Sequence, residues 1–325
     1  MKSAFWFAIA GICLSLLGGC ASTHGVDRGL RVSPEMRQEV ERLVAHEKAS
    51  NQLVYQLGTA GADECADAPL HYRSPFSLLY NSAGLPSAEM RKAIFDLEGL
   101  EDQALLQTHL PALQAYDGAR VVEVNGTSTR NPGKVLGTML EALEQRRPLT
   151  LKLEDGRSLQ AAGQPGCPSL VGGDFTGKGR SVENFGIYEM VPTAWAKVVR
   201  TPDETAFVLA RSIYFTGAEG RLKLRNALFA GAAVSGVLRA LTFGVSAIVA
   251  DPKRIAVQAR RRANRADADA FAVRLMARAG FDTGAVLVFA EHSLAEGAAW
   301  PEECDELRFD RARLDALRVL LLQKS

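Results

Sequence analysis

The side chains in this chain that could do chemistry are few, and the best of them are spaced for helices. Residues 203–217 read DETAFVLARSIYFTG, so Arg211 and Phe215 lie one helical turn apart with Ser212 beside the first. A helix with His-Glu-x-x-His at those places would supply two zinc ligands and a general base. Arg-Ser-Ile-Tyr-Phe supplies none of them, since neither a guanidinium nor a phenyl ring is an ordinary zinc ligand. The five histidines are His24, His46, His71, His109 and His292, so none lies between 110 and 291 to be borrowed. His46-Glu47 begins a similar pattern, but the residue four after His46 is Ser50, and the pair reads as an exposed helix face. The GKGRS within residues 172–181 lacks the spacing of a phosphate-binding loop and reads as linker or surface loop. No pair of the cysteines has zinc spacing, so a structural zinc site is not expected.

Two helices must carry the residues around Arg211. Thr201 is a cap, Pro202 fits the first turn, and Asp203 and Glu204 meet the positive end of the helix dipole. Ala206, Phe207, Leu209, Ala210, Ile213 and Tyr214 give a broad apolar surface, so nearly all of this helix must be buried. The second helix, RADADAFAVRLMARAGFD from Arg265, has Ala268, Phe271, Ala272, Leu275 and Met276 as its apolar set and Gly280 as its stop. The basic run leading into it reads as a solvated face.

In this order the two helices resemble those of the zinc metallopeptidases of the HtpX and CAAX prenyl protease type. These gluzincins read roughly D-E-L-A-x-V-L-A-H-E-x-x-H in the first helix and E-x-x-A-D-x-x-A-x-x-L-M-x-x-A-G-[YF]-D in the second. The resemblance is best over residues 186–291 and weaker over 60–170. It implies an α-rich, peptidase-like domain over 180–325 in which the catalytic chemistry is gone. Arg211 and Phe215 then stand for the histidines, Ser212 for the base and Arg265 for the ligand carboxylate. No catalytic residue, metal or cofactor is expected. A Ser-His-Pro common near the C-terminus of active relatives is also lacking. Asp269 matches the aspartate that orients the first histidine. The resemblance therefore implies that Arg211 pairs with Asp269, or with Asp267, and that a guanidinium–carboxylate fork replaces the metal as the cross-link.

The rest of the chain supplies context. Lys2, an apolar stretch and Leu17-Gly18-Gly19-Cys20 resemble a bacterial lipobox, with Cys20 the lipidated residue. A plain secretory signal and an uncleaved anchor are the other readings. Ala21 and Ser22 follow with no Asp, which by the sorting rule this resembles places the protein on the outer membrane, facing the periplasm. In such a compartment disulfides persist, and a Cys65–Cys167 bridge would staple the ends of the middle region, leaving Cys304 over.

Residues 21–32 read as a polar tether, and Ser33-Pro34 opens a helix to about Leu57. Residues 75–112 read as irregular with helical stretches. ARVVEV, Asn125-Gly126, a helix over GKVLGTMLEALEQ and then LTLKLEDG resemble the latter half of a PDZ domain. Another small α+β unit with a hairpin fits the same pattern. Residues 160–185 read as linker, and FGIYEMVPTAW as a strand entering the second domain. Residues 228–250 are apolar and rich in small residues, with Arg239 central, which fits either a packed helix or hairpin or membrane contact. A C-terminal helix has Leu314, Leu317, Val319 and Leu320 on its apolar side.

The 325 residues give 38 basic against 37 acidic side chains, a balance that points away from nucleic acid. The expected architecture is α+β: a signal peptide over 1–20, a tether and N-terminal helix over 21–59, a PDZ-like region over 60–165, then the helical domain. The expected function is that of a pseudopeptidase, a lipid-anchored adaptor or chaperone for envelope proteins or peptides. A zinc peptidase with non-standard ligands and a structural envelope lipoprotein are the alternatives.

Overall fold

A proline in its first turn and a serine cap start the longest helix, α1 (Pro34–Ala60), where the Ser33 hydroxyl accepts from the Met36 amide. The structure, a computed structural model, describes residues 26–65, 72–80, 87–101, 103–130, 132–167, 170–174, 183–185, 188–192, 195, 197–216 and 263–322. Cys20 and the rest of the segment expected to be a signal peptide, residues 228–250 and the GKGRS stretch lie outside the described residues. Residues 26–32, expected within the tether, instead touch the folded body. Val26 is buried, and Arg28 pairs with Glu101 at 3.0 Å.

After α1 the chain runs through β1 (Tyr72–Arg73), β2 (Phe76–Tyr80), α2 (Ala88–Glu98), β3 (Ala104–Thr108), β4 (Arg120–Val124), β5 (Thr127–Ser128), α3 (Pro132–Glu144), β6 (Leu149–Leu153) and β7 (Ser158–Ala161). The order β2-β3-β4-β6-β7, with β5 beside β4, makes one antiparallel six-stranded sheet. LTLKL alternates as a half-buried strand should, with Leu149, Leu151 and Leu153 inside and Lys152 out. Asn125 and Gly126, both at positive φ, close the β4–β5 hairpin. The segment expected to be irregular is thus two strands and a helix. Both faces of β3 are covered, so all five of its residues are buried and no alternation betrays it.

One sheet face packs Phe76, Leu106 and Leu151 on Val135, Met139 and Leu143 of α3. The other places Leu79 and Leu105 against Val40, Leu43 and Val44 of α1 and Ala93 and Ile94 of α2. Beyond the sheet, β8 (Gln164–Pro165) pairs with β1. β9 (Leu170–Asp174), β10 (Glu183–Phe185) and β11 (Tyr188–Pro192) form a second sheet, where a linker was expected. β11 is the strand expected ahead of the helical part; it runs parallel to β9.

The helical part follows: α4 (Pro202–Thr216), α5 (Arg265–Arg278), α6 (Ala285–Glu296) and α7 (Arg311–Leu322). α4 and α5 pack along each other, and Val54 and Leu57 of α1 join their core with Phe207, Ile213, Leu275 and Phe289. The architecture is α+β, with α1 shared between the sheet's core and the helices' core. On α7, Leu314 and Leu317 are buried but Val319 faces outward, a correction to its expected apolar side. A disulfide joins Cys65 to Cys167 across 102 residues, and Cys304 is a buried free thiol. Among the described residues no helix is long and apolar enough to cross a membrane.

Candidate functional site

Arg211 is delivered to the centre of the helical core by α4, whose residues 206–215 are all buried. Thr201 caps that helix, its hydroxyl accepting from the Glu204 amide at 3.1 Å. Asp269 arrives from α5, with both side chains almost wholly out of solvent. Arg211 Nε lies 2.8 Å from Asp269 Oδ1, but off the N–H axis, so the contact is an ion pair and not a directed hydrogen bond. Asp267, the other expected partner, is exposed.

The fork on Asp269 belongs to a third residue. Arg313 of α7 donates from Nε to Oδ2 and from Nη2 to Oδ1, both at 2.7 Å. Its Nη1 donates to the Arg308 carbonyl at 2.8 Å, and its guanidinium stacks 3.7 Å above the Phe309 ring. One buried carboxylate therefore holds two guanidiniums from two helices. The expected Arg211–Asp269 fork is corrected to a three-residue cluster in which Arg211 is the less directed partner. The sequence offered no spacing signal for Arg313, because Phe309, on which it stacks, precedes α7 and the helical i, i+4 rule does not reach it.

Burial pulls the Arg211 guanidinium down to about 10, Asp269 holds it up, and the charges of Arg313 and Arg265 press it down again. It stays charged at neutral pH. Arg265 donates to the Asp305 carbonyl at 2.8 Å, at the edge of the cluster. Ser212 bonds back to the Val208 carbonyl at 3.4 Å, and Phe215 packs edge-on to Tyr214, with both side chains buried. The structure thus brings Arg211, Asp269 and Arg265 into one electrostatic neighbourhood and gives Ser212 and Phe215 to packing. The arrangement cross-links helices. Its carboxylates are committed to guanidiniums: Asp269 to Arg211 and Arg313, and Asp305 to Arg265 at 3.5 Å. Among the described residues no three His, Cys, Asp or Glu side chains gather to hold a metal ion.

A second concentration of ionisable groups lies where α1 meets the sheet. His46 and Glu47, expected on an exposed face, are partly buried. The Glu47 Oε2 is enclosed without a hydrogen-bond partner, and burial pushes that carboxyl up to about 7. The His109 ring lies 5.2 Å from that of Tyr55, with Nδ1 3.2 Å from Gln52 Oε1. Burial first, and then the Arg73 charge, bring His109 down to about 4.

Arg73 is itself buried and donates from Nη1 to the Cys167 carbonyl at 2.7 Å. It runs between Gly58 and Gly166. A Cβ on Gly58 would lie 2.6 Å from the Arg73 Cδ, so only glycine admits the side chain there. The site sits at the C-terminal end of α1, whose dipole favours a cation. No protein-family model matches the chain, and neither does any curated protein or solved structure.

Proposed function

We propose that the protein is a lipid-anchored envelope protein that binds proteins or peptides on a peptidase-like scaffold without hydrolysing them. The observation that supports this reading most directly is the Arg211–Asp269–Arg313 cluster. In the family the sequence resembles, the space between these two helices carries a zinc ion and its ligands. In this chain α4 and α5 meet through Arg211 and a carboxylate already committed to Arg313. The PDZ-like reading of the sheet supplies the binding surface. Among the described residues β2 pairs only with β3, leaving the outer edge of Phe76–Tyr80 for an added strand. Cys20 supplies the membrane attachment in this reading.

Purified full-length protein tests it through metal content and peptide turnover measured together. The expected result is no stoichiometric zinc, no cleavage of unstructured peptides, and saturable binding of extended peptides. Stoichiometric zinc with chelator-sensitive cleavage would return the protein to the hydrolases. Absence of both hydrolysis and peptide binding would favour a structural lipoprotein.

A further inference from the structure

The seam between α1 and the sheet contains a buried cation that cannot withdraw. Arg73 is threaded between Gly58 and Gly166, and among the described residues it has no carboxylate partner. What offsets its charge is the Cys167 carbonyl and the end of α1. His109 stands close enough to feel that charge, with its ring against Tyr55 and its Nδ1 against Gln52, both on α1. The same helix also joins the helical core through Val54 and Leu57.

We propose that His109 and Arg73 form an acid-sensitive latch between α1 and the six-stranded sheet. Protonating the imidazole sets a second cation beside the trapped guanidinium and loosens the seam. The charged and titratable groups facing His109 are Tyr55 from α1, Arg73 from β1 and Asp117 from the turn before β4. Tyr55 stays neutral, because burial raises its phenol. Asp117 works against opening, but its Oδ1 already accepts from the Thr108 amide at 2.8 Å. The Cys65–Cys167 bridge and the β1–β8 pairing tie down the Arg73 end of the seam, where the Cys167 amide donates to the Gly58 carbonyl, so the latch opens at its His109 end.

Two measurements on the full chain test this. In an NMR titration the His109 imidazole is expected to ionise well below the free histidine value of about 6.5. Arg73→Met should raise it by about one unit, and Asp117→Asn should lower it further. In hydrogen exchange, opening of residues 51–58 is compared between the parent protein and His109→Gln. Relative to the variant, opening in the parent should grow about tenfold or more from about pH 7 to about pH 4.5. The corresponding ratio for β6 and β7 should stay constant. Glu47 titrates in both proteins and drops out of the comparison. A His109 that ionises at the free value, or an opening ratio flat with pH, overturns the latch. Should Arg73→Met fail to fold, the direction of the Asp117→Asn shift decides, and an upward or absent shift overturns it.

Discussion

Asp269 is the residue on which the helical core turns, because it pairs with two buried guanidiniums at once. Asp269→Asn should lower stability by about 3–5 kcal/mol, since it strands cations that cannot lose their protons. Arg211→Met should cost less, within about 1 kcal/mol, because Asp269 keeps its bidentate partner and the new side chain is apolar. Chemical denaturation of both variants checks the pair, and equal losses would mean that Arg211 is the principal partner. Glu47 makes a different prediction. Its folded value of about 7 lies above the usual carboxylate value, so its ionisation is resisted in the folded state. The penalty is absent below the unfolded pKa and grows as pH rises toward 7. Glu47→Gln should therefore stabilise by about 2–3 kcal/mol above pH 7 and do little near pH 4, read as unfolding midpoints against pH.

At the scale of elements, what could be read from the chain followed from periodicity. The cap at Thr201, the apolar faces of α4 and α5 and the Asn-Gly hairpin each have a local cause, and each stands in the structure where its cause put it. β2 and β3 were illegible because FSLLY and ALLQT lie between helices on both sides, so neither gives the alternation of a half-buried strand. The role of α7 was hidden for another reason. Its charges at Arg311, Arg313, Asp315 and Arg318 look alike in sequence, and only the fold turns Arg313 inward while Arg318 pairs with Glu291 at the surface. Arg313→Lys should thus loosen α7. An ammonium cannot make the fork or the stack on Phe309, and about 1–3 kcal/mol should be lost. Exchange of α7 amides should rise first. If α7 keeps its protection, the fork is not what docks this helix.

At the scale of the whole molecule, a sheet with helices on both faces and a separate helical core share α1 and a bridge closed across 102 residues. The bridge restricts the unfolded chain over a long loop, an effect of about 3–5 kcal/mol. A Cys65→Ser, Cys167→Ser double variant should lose about that much. It should also separate the thermal transition into two steps, the smaller for the core that keeps fewer contacts with α1. A single transition at an unchanged temperature would show that α1 alone couples the cores.

The capture of Asp269 by Arg313 has a consequence for anyone hoping to install a metal site between α4 and α5. Writing histidines at 211 and 215 and a glutamate at 212 would put the letters of a zinc motif on α4. Asp269, the carboxylate beside position 211, would still be clasped by Arg313 of α7 and could not turn to an imidazole. A carboxylate already engaged by one helix is closed to a new task on another, so any such redesign would have to begin at position 313.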